Sequence, residues 1–325
     1  MKKLNIYPYP HRYPVQVQST SQYLDEVMNC KTLNDQAGFD GILLFTSLDD
    51  PFDQWTLGGE VFRGSQQVPI VAVMPGWEHP VVTARKLETL QTIYQRPCAV
   101  NWITGLNLSD HEKLGAPKSK PVRFEMLNEY MEIVMRLQSG EKLTFSGKHY
   151  QVKGHRLTHF SQIQTKHYIS GSVENFDSTL SKYPALVPVS IGLEKGFTYS
   201  QPVKGVGLGI IARSTEQEAR QVMEMFLGDK KISEKYIEMS KKNTDSIWKK
   251  RLFDRVDHHE GINGFYASAL KGFSQVGFFV HSYEACADYL LDHIQNGRDH
   301  FFISLVSSKE ILHIKKVFDW VKNKI

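Results

Sequence analysis

The sequence predicts an α/β fold, a (β/α)8 barrel (a TIM barrel) with an insertion before the last strand. Three observations carry that expectation. Eight short apolar runs recur along the chain, helix-period patterns fall between them, and 325 residues suffice for one barrel of about 250 residues with additions. The runs are continuous rather than alternating, as in strands buried on both faces. Hydrophobic residues at 41% and charged residues at 23% exclude a disordered, fibrous or multi-span membrane chain.

Strands are expected at Leu4–Tyr7, Gly41–Phe45, Pro69–Met74 and Cys98–Ile103. Four more are expected at His167–Ser170, Leu186–Ser190, Val206–Ala212 and His300–Leu305. Leu127, Tyr130, Met131, Val134 and Leu137 recur at three- and four-residue steps, which predicts a helix that stops before Ser139-Gly140. Ser214-Thr215-Glu216-Gln217-Glu218 opens another, with a hydroxyl cap and acids in the first turn. Ile314, Val317, Phe318 and Val321 mark the last. Phe145–Lys153 reads as a small hairpin turned at Ser146-Gly147. The chain is expected to form one domain over residues 1–325, with a helical insertion at about residues 225–280. Within it, Gly228–Arg251 carries eight Lys/Arg against four acids. That run reads either as a solvated helical face or as a docking surface for an acidic ligand or partner.

Composition narrows the function classes. A net charge of +4 is too small to argue for nucleic acid. No run of 18 apolar residues offers a membrane span, and the lysines at the N-terminus lead into no apolar stretch. The three cysteines, Cys30, Cys98 and Cys286, form no CxxC, which suits a reducing compartment and a cytoplasmic protein. The thirteen histidines form no HExxH. Asp254, Asp257, His258, His259 and Glu260 are the densest group of ligand types, but adjacent histidines point apart, so no metal site is expected.

Three motifs fall at the ends of predicted strands, where barrel chemistry resides. Asn101-Trp102-Ile103-Thr104-Gly105 ends the fourth strand, with Asn101 and Thr104 either facing the mouth or forming a turn. Ser170-Gly171-Ser172-Val173-Glu174 ends the fifth and starts a helix; it reads equally as an ordinary Ser cap and as a phosphate site. Gly205-Val206-Gly207-Leu208-Gly209 mimics a nucleotide loop, but its apolar alternation into Ile210-Ile211 predicts a strand.

An ordered set of blocks resembles the luciferase-like flavin monooxygenases, nearest the alkanesulfonate monooxygenase branch. Val68 to Arg85 resembles the third strand and helix of that family, and Asn101–Gly105 its N-x-x-T-G. Arg123-Phe124-Glu125 with Glu129-Tyr130, Phe145–Tyr150 with Val152-Lys153-Gly154, and Ser170-Gly171-Ser172 follow in family order. Thr215–Ala219 and Val276–Ala287 complete the series, which spans roughly residues 4 to 305. The resemblance implies a barrel that binds reduced FMN from a separate flavin reductase and uses O2 to oxygenate a small-molecule substrate. It implies flavin contacts at Met74, Asn101, Thr104, Gly105, Gly171 and Ser172. It also implies His11 as an orienting or acid/base residue, Lys271 on a mobile lid, and a homo-oligomer, a dimer.

Departures from the branch are as informative. Its cysteine after strand two is replaced by Asp49-Asp50-Pro51, and its Arg and His in strand seven by Gly207 and Gly209. Its last-strand tyrosine becomes Val306 and its lid arginine Lys271. The sulfonate-binding polar set is largely missing, so the pocket is expected to be rebuilt and less polar. Two alternatives stand beside a monooxygenase: a deazaflavin-dependent oxidoreductase on the same barrel, and a flavin-binding protein without turnover.

Overall fold

The computed structural model describes residues 3–10, 19–45, 47–48, 50–105, 107–158, 161–171, 177–192, 203–227, 230–256, 263–272 and 274–325. Eight parallel strands form the barrel wall. They are β1 (Asn5–Pro10), β2 (Gly41–Leu44), β3 (Val68–Val73) and β4 (Ala99–Trp102), then β7 (Lys166–Ser170), β8 (Val187–Ile191), β9 (Gly205–Arg213) and β12 (His300–Leu305). Their order around the wall is β1-β12-β9-β8-β7-β4-β3-β2. All eight overlap the predicted runs, and the glycine-rich Gly205–Gly209 is a strand, as its alternation required. The antiparallel hairpin β5 (Leu143–Ser146) and β6 (Gln151–His155) lies outside the wall; its turn spans 147–150, one residue later than expected.

The seam between β1 and β2 is closed by one residue. The Asp40 N–H donates to the Ile6 carbonyl at 3.0 Å, and the Ile6 N–H donates to Asp40 Oδ2 at 2.9 Å. A carboxylate thus replaces a ladder carbonyl.

The helices α1 (Thr20–Ala37), α2 (Gln54–Phe62), α3 (Pro80–Tyr94), α4 (Leu108–Lys113) and α5 (Lys120–Gln138) connect the first half of the wall. Local chemistry sets their ends. Ser19 and Gln22 form a capping box on α1, and Gly38 ends it in the left-handed region at φ 70°. Pro80 starts α3, where its missing N–H costs nothing. The short helix α6 (Asp177–Lys182) links β7 to β8.

Inside the wall, Tyr7, Tyr168 and Phe302 meet at ring distances of 5.1 to 5.9 Å, with the two phenol oxygens 2.7 Å apart. Outward-facing residues pack on helices, as Trp102 does on Tyr130 of α5.

Between β9 and β12 the chain builds α7 (Glu216–Leu227), α8 (Lys230–Lys242), α9 (Ile247–Phe253), β10 (Phe265–Tyr266), a 3-10 helix (Ala267–Gly272), β11 (Phe278–Ser282) and α10 (Tyr283–Gln295). The last helix is α11 (Glu310–Lys324). β9 is nine residues long because it serves two partners. Gly205–Gly209 pairs with β12 in the wall, and Gly209–Arg213 pairs with β11 above it. Ile211, Ala219, Met223, Tyr266, Ala269, Val276, Phe278 and Val280 form a separate small core. Ile191, at the end of β8, and Val306, just after β12, pack against it. The segment therefore sits on the mouth and carries its own apolar support.

Candidate active site

The predicted residues gather where the strands end. Met74 follows β3 and is buried, and Asn101 lies in β4. The Ser170 hydroxyl donates to Asn101 Oδ1 at 2.7 Å, so the amide is fixed with its Nδ2 donor facing away from Ser170. Two neighbouring strands thus place one oriented amide at the mouth.

Thr104 and Gly105 begin the loop after β4. Gly105 has φ +80°, and a side chain there would strike the Met74 sulfur and the His111 Nε2. The loop must present main chain at this point. His111 on α4 is fully buried, with its ring against the main chain of Gly105. Burial, and next the Arg123 charge, lower its pKa, so the imidazole is neutral near pH 7.

The same loop is braced from behind. Arg123 is 2% exposed; its Nε donates to the Thr104 carbonyl at 3.1 Å, and its Nη atoms reach the Lys118 carbonyl and Asp245. Asp245 belongs to the α8–α9 turn. Asn107 and Thr244 form an antiparallel bridge beside it, and the Leu108 N–H donates to the Asn243 carbonyl at 3.1 Å. The insertion is thereby bonded to the loop that carries Thr104 and Gly105.

Gly171 lies at the end of β7, but its N–H donates to the Val189 carbonyl at 3.4 Å. An anion at this loop would fall to the residues beyond it. Ser172 and His11 lie outside the described residues, as do Asp257–Glu260. Lys271 is half-buried in the 3-10 helix of the insertion. Among the described residues no three His, Cys, Asp or Glu side chains converge as metal ligands do.

The family positions that depart divide in two. Among the described residues, a Cβ added at Gly207 would meet nothing closer than 3.8 Å, so that position is open to them. At Gly209 the ring of Phe278 fills the place of a side chain. A further pocket at the end of β3 is lined by Trp55, Met74, Trp77, Glu78 and Lys86 among others, with the Glu78–Lys86 ion pair at 2.6 Å.

Three residues were missed from the sequence. Tyr9, hydrogen-bonded to Ser304, comes from the inward alternation of Asn5, Tyr7 and Tyr9, which an all-apolar template hides. Arg123 stood in a recognised motif, but its role depends on Asp245, 122 residues away. His111 carried no local signal.

These residues fit a flavin. Gly105 offers bare main chain beside Met74, Asn101 offers an oriented donor, and Gly207 leaves room in the mouth.

Comparison with known proteins agrees with this geometry. The family model described as luciferase-like monooxygenase matches residues 8–192. The 4-(gamma-L-glutamylamino)butanoyl-[BtrI acyl-carrier protein] monooxygenase BtrO of Niallia circulans is 22% identical over 94% of this chain and 93% of its own. The oxygenating constituent of 3,6-diketocamphane monooxygenase from Pseudomonas putida, solved with FMN, shares the fold at a TM-score of 0.72. It is 16% identical, with 100% of this chain and 99% of that one covered. Long-chain alkane monooxygenase LadA superposes at a TM-score of 0.69, with 14% identity and coverage of 100% and 92%. With its family model matched over more than half its length, the chain belongs to the luciferase-like monooxygenases.

Proposed function

We propose that the chain is the oxygenating component of a two-component flavin monooxygenase. It takes reduced FMN from a separate reductase and uses O2 to oxygenate a small organic substrate. The observation that carries this reading is the convergence of Met74, Gly105 and His111 beside the Asn101–Ser170 pair, under an insertion seated on the mouth. Bound there, reduced FMN supplies the two electrons that divide O2 between product and water.

The protein's own groups bind, orient and shield. Asn101 Nδ2 and the main chain at Thr104–Gly105 hold the flavin ring, and Arg123 keeps that loop in place. The loop that begins at Gly171 takes the phosphate, with the Ser172 hydroxyl assigned as a donor to it. His11 serves as acid or base at the substrate, and Lys271 closes over the mouth with the insertion acting as lid. The less polar mouth, with Gly207 open and Phe278 filling the side of Gly209, suits a substrate other than an alkanesulfonate. The three buried free thiols suit a protein of the reducing cytoplasm.

Anaerobic titration with reduced FMN, then mixing with O2, tests the reading. Tight binding, loss of affinity in Ser172→Asp, and no NADH consumption by the chain with FMN alone are the expected results. NADH oxidation without a reductase, or preference for a deazaflavin, overturns it.

A further inference from the structure

The basic segment of the insertion concentrates the chain's excess positive charge. Gly228–Arg251 holds eight Lys/Arg and four acids, while the rest of the chain holds 31 of each. The whole net charge of +4 therefore resides in these 24 residues. Among the described side chains, Lys235, Lys241, Lys242, Lys250 and Arg251 are exposed. Two of the four acids are already paired, Asp245 with the buried Arg123 and Glu238 with Lys242 at 2.7 Å. Two large apolar side chains stand open on the same segment, Met239 at 61% and Ile247 at 39% exposure.

Position gives this surface its meaning. The segment is bonded to the loop after β4 through Asn107–Thr244, Ser109 to Asn243 at 2.8 Å, and Arg123–Asp245. That loop carries Thr104 and Gly105. A partner resting on α8–α9 stands at the rim of the mouth, within reach of a flexible arm.

We infer that this face docks an acidic acyl-carrier domain, which presents the substrate as a thioester on its arm. The inference rests on the oxygenase reading and names the form in which its substrate arrives. Charge complementarity is the argument for the occupant: a basic surface with apolar centres at an active-site rim meets an acidic surface carrying a tethered acyl group. Such pairing accelerates encounter and orients the partner, and it weakens with salt. BtrO, similar along nearly the full length, is named for an acyl-carrier substrate.

The test uses the full chain and two probes. One is an acyl-carrier protein loaded with a butanoyl thioester; the other is the same thioester on free pantetheine. The loaded carrier is expected to bind, with affinity falling about tenfold or more between low and physiological salt. Lys241→Glu with Lys242→Glu and Lys250→Glu is expected to weaken carrier binding at least tenfold. That variant should leave reduced-FMN affinity and binding of the free pantetheine thioester unchanged, which shows that it is folded. Absence of carrier binding, carrier binding untouched by the three reversals, or preferential binding of anionic phospholipid vesicles overturns the inference. Failure of the wild type to bind reduced FMN overturns the oxygenase reading instead, and the carrier titration is read separately from it.

Discussion

The interior of the barrel and its mouth are built from opposite kinds of residue. Inside, Tyr7, Tyr168 and Phe302 fill the space ring against ring, and two phenols satisfy each other at 2.7 Å. Burial raises the pKa of both phenols, so neither ionises near neutrality. At the mouth the wall thins to glycines and loops, with Gly105 and Gly207 offering backbone or space where the interior offers rings. The difference teaches where this fold keeps its stability and where it keeps its chemistry. A change in the rings should unfold the protein before it alters binding, and a change at the mouth should do the reverse.

The sharpest way to break that division is to empty the interior. Tyr168→Ala is expected to cost about 4 kcal/mol in urea unfolding, from lost burial and a residual cavity. Tyr168→Phe leaves the Tyr7 hydroxyl without its partner and should cost about 2 kcal/mol. Reduced-FMN affinity of the folded protein should stay at the wild-type value in both. A large affinity loss in Tyr168→Phe would show that the two regions are not separate.

Acid should act on the wall next. His167 accepts from Trp102 Nε1 at 3.2 Å, and burial pushes its pKa down to about 4. In the unfolded chain it titrates near its ordinary ~6.5, so the unfolded state binds the proton first. Stability is therefore intact above about pH 6.5 and falls as pH drops toward 4, by about 3 kcal/mol from this residue. His293, pushed down to about 3 by burial and then by Arg298, adds loss in the same direction. Urea midpoints measured from pH 7 to 4 check the slope, which His167→Gln should flatten. An unchanged slope in that variant assigns the acid sensitivity elsewhere.

The brace between mouth and insertion should give a mixed effect. Arg123→Met strands the Thr104 and Lys118 carbonyls and Asp245. It should cost about 2 to 3 kcal/mol, less than a fully buried pair because Asp245 is 25% exposed. Unlike the interior changes, it should also weaken reduced-FMN binding about tenfold, as read by anaerobic titration, since the Thr104–Gly105 loop loses its support. Destabilisation without any change in affinity would mean that the brace serves the fold alone.

Legibility followed the same division. The wall was readable because each strand announces itself locally: Val68–Val73 is a continuous apolar run and Ala99–Trp102 one interrupted at Asn101, both bounded by turn residues. Met74, Asn101, Thr104 and Gly105 were reached through an ordered motif rather than through periodicity. The brace was not readable, because Arg123 gains its role only from Asp245 and Thr104, which the fold brings to it. The buried His111 was not readable either, since its packing against the Gly105 main chain is a property of the folded chain.

The finest comparison lies within β9 itself, between two glycines two residues apart. Both stand where the sequence resemblance would place larger side chains, and a sequence comparison treats them alike. The structure does not. The Phe278 ring already occupies the side-chain position of Gly209, so Gly209→Ala must displace an aromatic ring held in the insertion's core. Overpacking of that kind should cost about 1 to 3 kcal/mol and loosen the insertion from the mouth. At Gly207, among the described residues, an added methyl meets the Ser190 carbonyl at 3.8 Å and Val276 at 3.9 Å, ordinary contact distances. Gly207→Ala should therefore lie within about 0.5 kcal/mol of the wild type. Parallel urea titrations of the two variants decide it. If Gly207→Ala proves as costly as Gly209→Ala, the mouth is packed at that point rather than open, and the space assigned there to flavin or substrate does not exist.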